Sequence, residues 1–174
     1  VMQVRRFANG LMVITPPLYR DERGCFMELS KASTLRALGL PDALVQSNLS
    51  WSKYGVLRGL HDQLEPYAQG KLVSVLQGAI WDVVVDIRPQ SATYLSWFSF
   101  YLTAKSMRQL WIPKGFLHGF YALGQDNLVL YHTSAEYHAS HERSVAHDSP
   151  IWSVPWPRYK ILSAKDAQAP HFQP

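Results

Sequence analysis

Apolar and polar residues alternate along most of the chain in short runs, the period of strands with one face buried. The strongest run is KLVSVLQGAIWDVVVDIR, whose two apolar arms flank Gln77-Gly78 and predict a hairpin over 72–87. Val73, Val75, Trp81, Val83 and Val85 are its expected core positions. Asp82 and Asp86 fall on the opposite face and read as structural partners for basic residues. Strands are also predicted at 4–7 and 11–15 around the turn Asn9-Gly10, with Pro16-Pro17 ending the second. Arg23-Gly24 reads as a turn that delivers a strand with Phe26 and Glu28 on one face. Residues 43–52 predict a strand with Gln46 and Asn48 on a shared face, and 93–102, 108–112 and 128–134 predict three more, Tyr131 lying in the last.

Only 30–40 has a helical pattern, with Ser30 as the expected N-cap and Gly39 and Pro41 at its end. Beyond His138 the chain is loop-rich, and Ser163-Ala164-Lys165-Asp166 has the form of a capping box. About ten short strands, a helix and no β-α-β rhythm predict a mainly all-β fold, an antiparallel jelly-roll sandwich or barrel with a few short helices.

Composition supports this reading and narrows the partners. The 174 residues are expected to form one domain, 1–174, and 47% hydrophobic against 17% charged residues excludes disorder. The net charge of +4 favours an anionic ligand, but the 17 Lys and Arg are dispersed and only Arg5 and Arg6 are adjacent, so no nucleic-acid surface is expected. A single cysteine, Cys25, predicts no intrachain disulfide and a reducing, cytoplasmic setting. The start, VMQVRRF, lacks the apolar stretch of a signal peptide and no run is apolar enough to span a membrane, so a soluble protein is expected.

The stretch GVLRGLHDQLEPYAQGK, 55–71, concentrates candidate chemistry. Arg58 and His61 are three apart with Gly59 between them, so a glycine bulge would turn both towards one cavity, with Lys71 at the start of the next strand. An imidazole among cations suits proton abstraction from an anionic substrate; the alternative is a strand end whose polar residues face water. For Arg23 and Glu28 the alternative is a surface ion pair, and for Gln46 and Asn48 a solvated edge.

Residues 113–118, PKGFLH, match the P-x-G-x-x-H motif of the cupin superfamily, whose metal-binding members also carry H-x-H and a downstream glutamate. Here Gln63 stands where the second histidine would be, leaving His61, His118 and Glu65 as an incomplete ligand set. The reading therefore expects no metal and no cofactor, and chemistry by side chains alone.

With DERG before Phe26 and Glu28, Gln46 and Asn48, GVLRGLH with Gln63, GKLV, RQLWIPKGFLHGF, LVLYHTSAEYHASHER and LSAKDAQAP in this order, the chain resembles the dTDP-4-dehydrorhamnose 3,5-epimerase family, metal-free cupins acting on nucleotide-linked 4-keto-6-deoxy sugars. The resemblance implies that His61 is the base, paired with Asp166, that Tyr131 is the acid on the opposite face, and that Lys71 stabilises the enolate oxygen. It further implies that Arg23 and Arg58 bind the diphosphate, that Phe26, Glu28, Gln46 and Asn48 contact the nucleotide, and that His118 and Tyr137 line the sugar pocket. The implied partners are a dTDP-linked 4-keto-6-deoxy sugar and a second copy, in a homodimer whose N-terminal segment, 4–15, pairs across the interface.

Four positions depart from the family pattern beside these residues: Asp62 for an aromatic residue, Ser47 for aspartate, His132 for lysine and Cys25 for an aromatic residue. They leave epimerisation at C3 and C5 open against epimerisation at C3 alone. A non-catalytic sugar-nucleotide-binding jelly roll and a metal-dependent cupin enzyme are the readings from other classes.

Overall fold

A computed structural model describes residues 1–41 and 43–174. In chain order the elements are β1 (Gln3–Arg6), β2 (Met12–Thr15), β3 (Leu18–Asp21), β4 (Gly24–Met27), α1 (Ala32–Ala37), β5 (Gln46–Lys53), β6 (Leu57–Gln63), β7 (Lys71–Gln77), β8 (Ala79–Asp86), β9 (Trp97–Thr103), β10 (Gln109–Ile112), β11 (Phe116–Ala122), β12 (Asp126–Thr133), β13 (Glu142–Ser144) and α2 (Ala164–Ala167). A six-stranded sheet runs β1-β2-β10-β7-β12-β5, and a five-stranded sheet runs β13-β6-β11-β8-β9. All pairings between these strands are antiparallel, and β3 and β4 form a separate two-stranded hairpin. This is the expected mainly β sandwich of jelly-roll type.

The two sheets bury a common core of Val73, Val75, Leu110, Ile112 and Val129 from one and Ile80, Val84, Leu102, Phe116 and Phe120 from the other. Both outer faces are partly covered. Leu35 of α1 and Leu38 and Leu40 just beyond it pack on Met12, Ile14, Leu72 and Trp111. Val145, Trp152 and Val154 of the C-terminal segment pack on Leu60, Val83, Val85 and Leu117.

Four expectations need correction. The chain does turn at Gly78, in a left-handed conformation with φ +78°, but β7 and β8 do not pair. The turn is a corner that carries the chain from one sheet to the other, and the Asn127 side chain holds it by accepting from Ala79 N at 3.0 Å and Gly124 N at 2.9 Å. An apolar run on each side of a turn fits a corner as well as a hairpin, because local pattern does not encode which strand pairs with which.

Burial of β8 on both faces puts Asp82 and Asp86 on the same side as Ile80 and Val84, between the sheets, while Val83 and Val85 pack under the C-terminal segment and Trp81 is only partly buried. The helix is shorter than expected: Lys31, not Ser30, is its N-cap, with no side-chain cap. The strand expected at 93–102 begins at Trp97, because the hydroxyls of Ser91 and Thr93 donate instead to Asp86 Oδ2 at 2.5 and 2.6 Å.

The N-terminal pair β1–β2 folds onto β10 of its own chain and forms one edge of the six-stranded sheet. No helix among the described residues is long and apolar enough to cross a membrane.

Candidate active site

The expected bulge in β6 is present. His61 pairs with His118 of β11 and Arg58 with Phe120, so Gly59 and Leu60 together stand opposite Gly119 alone. Gly59 has φ +120°, and a Cβ there would lie 2.7 Å from both Gly119 Cα and His118 O, which only glycine avoids. The extra residue frees the Gly59 amide from the ladder and sets both Arg58 and His61 at one cavity.

That cavity, of about 550 Å³, is lined by Arg58 and His61 of β6, His118 of β11, Lys71 of β7, Tyr131 of β12, Glu142 of β13, and Lys165 and Asp166 of α2. A smaller one of about 300 Å³ shares His61, Lys71, Tyr131 and Glu142 and continues to Gln46, Asn48, Asp62 and Tyr137. His61 therefore reaches it from the five-stranded sheet, and Tyr131 and Lys71 from the six-stranded one.

His61 Nε2 lies 2.5 Å from Asp166 Oδ1, while Asp166 Oδ2 accepts from Gly59 N at 3.1 Å. Asp166 is only 5% exposed. Burial works to raise its pKa, but the hydrogen bonds from His61 and Gly59 and the charges of His61 and Lys165 prevail and hold it below the ordinary carboxylate range. An ionised Asp166 accepts the Nε2 proton, so the His61 Nδ1 lone pair is the basic site. The capping box is half formed: Ser163 Oγ accepts from Asp166 N at 3.1 Å, and the carboxylate that would close the box turns to His61 instead.

The Lys71 side chain makes no hydrogen bond among the described residues; burial lowers its pKa, with Asp62, Asp82 and Glu142 opposing. Burial likewise raises the Tyr131 phenol, with Arg58 opposing and Glu142 assisting. The phenol thus remains a proton donor at neutral pH. Arg58 is anchored by Ser52 Oγ at 3.0 Å and Trp51 O at 3.2 Å, with no carboxylate partner among the described residues. His118 Nε2 contacts Asp82 Oδ2 at 2.7 Å, a carboxyl that burial pushes up in pKa against the opposing pull of His118 and Lys71. Gln46 and Asn48 share a face as expected, Gln46 donating to Asn48 Oδ1 at 2.9 Å and accepting from Tyr137 N at 2.8 Å.

Arg23, Phe26 and Glu28 are not brought to this cavity within one chain. Arg23 is 86% exposed in its side chain and pairs with Asp21, Phe26 is exposed beside Tyr19, and Glu28 faces Lys31 at 3.8 Å. The two-His set with Glu65 is not assembled either, since Glu65 pairs with Lys114 at 2.8 Å. Gln63 is fully employed in pinning a loop, donating to Tyr67 O and Glu136 O and accepting from His138 N.

Sequence reading missed Glu142, Lys165 and Asp82. Glu142 accepts from Lys165 Nζ at 2.5 Å and Tyr137 Oη at 2.9 Å, bonds that with the charges of Lys165 and His61 overcome burial and hold it below the usual range. The Glu in HASHER and the Lys before Asp166 stood inside quoted motifs without a periodic signal. For Asp82 the signal was available: an aspartate at the parity of Ile80 and Val84 in an otherwise apolar run. Two of the four departures meet each other, Ser47 Oγ lying 2.7 Å from His132 Nδ1 across β5 and β12.

The sequence model of the dTDP-4-dehydrorhamnose 3,5-epimerase family matches residues 7–174. A relative from Sinorhizobium fredii named dTDP-4-dehydrorhamnose 3,5-epimerase is 42% identical over 161 residues, 91% of this chain and 83% of its own. A dTDP-6-deoxy-D-glucose-3,5-epimerase from Legionella pneumophila Philadelphia 1, solved in complex with dTDP-4-keto-L-rhamnose, superposes with TM-score 0.93 at 42% identity and covers 98% of this chain and 93% of that one. The dTDP-4-dehydrorhamnose 3,5-epimerase from Bacillus anthracis, solved with TDP and PPi bound, superposes with TM-score 0.95 at 39% identity, covering 99% and 100%.

Proposed function

The chain belongs to the dTDP-4-dehydrorhamnose 3,5-epimerase family, and from that premise we infer which of its residues carry the reaction. The protein is a nucleotide-sugar epimerase of deoxysugar biosynthesis, an isomerase that inverts C3 and C5 of a dTDP-4-keto-6-deoxyhexose. We take residues 1–174 as one cupin-like domain that does this without metal or cofactor.

The C4 carbonyl acidifies the hydrogens on C3 and C5. His61 Nδ1 takes one of them, the C–H electron pair moves into a C=C bond, and the carbonyl oxygen becomes an enolate beside the Lys71 ammonium. Tyr131 then returns a proton to the same carbon from the opposite side. His61 is left as an imidazolium supported by Asp166 and Tyr131 as a phenolate, and both reset by proton exchange with solvent before the second carbon reacts. His118, held through Nε2 by Asp82, lines the same cavity as Lys71 and has its Nδ1 left for a hydrogen bond with the sugar. Arg58 takes the diphosphate; Gln46 and Asn48 contact the nucleotide; Tyr137 closes over the sugar from Glu142.

The observation that carries this reading is that His61 of the five-stranded sheet, paired with Asp166 of α2, lines one cavity with Tyr131 and Lys71 of the six-stranded sheet. The active form we propose is a homodimer. Its support is the free edge of β1, the exposed Leu49, Trp51 and Leu76 on the outer face of the six-stranded sheet, and the projecting hairpin with Arg23 and Phe26, which would reach a partner's cavity. The unpaired Cys25 is in keeping with a cytoplasmic location.

The test is incubation with dTDP-4-keto-6-deoxy-D-glucose in deuterated water, followed by NMR. The reading predicts loss of both the C3 and C5 proton signals, and no loss at either in His61→Ala. Exchange confined to C3 would make the enzyme a monoepimerase, and unimpaired exchange in His61→Ala would remove His61 as the base.

A further inference from the structure

The turn that follows Tyr137 carries a group the reaction does not use. His138 and His141 bracket the 3-10 turn Ala139–His141, and their Nδ1 atoms lie 3.1 Å apart. Ser140 Oγ lies 3.0 Å from His138 Nδ1 and 2.9 Å from His141 Nδ1. Three donor atoms thus form a nearly equilateral triangle.

Hydrogen bonding does not account for all three edges. Each Nδ1 has one in-plane direction, holding either a proton or a lone pair, and the hydroxyl has one proton. Two-centre hydrogen bonds can therefore satisfy at most two edges, for instance Nδ1–H to Oγ and O–H to the other Nδ1. A cation over the triangle, within bonding reach of all three atoms, would satisfy all of them. Bonds of about 2.1 Å at right angles put neighbouring ligand atoms about 3.0 Å apart, the edge of an octahedral first-row metal site.

The triangle is also built in advance. Tyr67 stacks on His138 with ring centroids 3.8 Å apart and meets His141 edge-on at 4.6 Å. The backbone is tied to the β6 end by His138 N donating to Gln63 Oε1 at 2.7 Å and by Leu64 N donating to His141 O at 2.9 Å. Ser140 is exposed and His138 and His141 are half-buried, so water can reach the open side of the triangle and supply the remaining ligands.

We propose that His138, Ser140 and His141 form a facial N2O site for a divalent first-row transition ion, outside the catalytic cavity and bracing the turn next to Tyr137. Imidazole donors select Co²⁺, Ni²⁺, Cu²⁺ and Zn²⁺ over Mg²⁺ and Ca²⁺.

The experiment is titration of untagged, chelator-treated protein with Co²⁺, read by its visible d–d absorption, and with Ni²⁺, read by the thermal midpoint. The proposal predicts one saturable Co²⁺ per chain, binding at least tenfold weaker in His138→Gln and in His141→Gln, and unchanged binding in His132→Gln. Ni²⁺ should raise the midpoint of the parent but not of the two variants, whose metal-free midpoints report that they fold. Co²⁺ binding unaltered by both substitutions, or no saturable binding by the parent, would overturn it.

Discussion

The role proposed for His61 rests on a partner 105 residues away in sequence, Asp166, whose carboxylate spans Nε2 and the amide freed by the β6 bulge. In the proposed mechanism the charge on Asp166 fixes the tautomer and supports the imidazolium. Asp166→Asn should therefore lower kcat by about 10²–10⁴-fold with little change in KM, a loss steady-state kinetics can read directly. A comparable loss confined to KM would mean that the side chain only shapes the pocket. The pH dependence has a definite sign. A carboxyl held below its unfolded pKa contributes stability above that unfolded value, and the contribution disappears as pH falls through the folded one. Asp166 and Glu142 both belong to this class, so the dyad is intact at neutral pH and fails on acidification. Arg58, His61 and Lys71 were legible locally because they crowd one glycine-rich stretch. Nothing local pointed to Asp166 beyond a cap, and only the resemblance of its surrounding motif supplied the role.

The elements divide in the same way between what is local and what is paired at a distance. The bulge in β6 was readable, because a glycine between two candidate side chains three apart has few other uses in a strand. The turn at Gly78 was readable, but its use as a corner between sheets was not. Strand edges extend this argument to assembly. β1 and β5 end the six-stranded sheet with unpaired backbone groups, and Leu49, Trp51 and Leu76 lie exposed on one of its faces. Sedimentation at micromolar concentration should give a dimer, and Trp51→Glu, which sets a charge in that apolar face, should shift it towards monomer. A monomeric parent would contradict the dimer and leave Arg23, Phe26 and Glu28 without a cavity to serve.

The sandwich as assembled explains why the chemistry sits where it does. A jelly roll brings two antiparallel sheets face to face, and where the apolar core of Val129, Phe116 and Phe120 gives way to polar residues it leaves a cavity with one sheet on each side. Inversion at carbon requires proton removal from one side and delivery from the other, and the fold supplies His61 from the five-stranded sheet and Tyr131 from the six-stranded one. Fold class was legible from period-2 patterning alone; the opposition of the proposed base and acid was not, because it depends on which strands belong to which sheet. The decisive measurement compares Tyr131→Phe with the parent in deuterated water, scoring exchange and inversion separately by NMR. With His61 intact and the opposing acid removed, the C–H protons should still exchange, while formation of inverted sugar falls by about 10²-fold or more. If Tyr131→Phe instead inverts both carbons at the parent rate, the delivery of the proton from the second sheet is wrong.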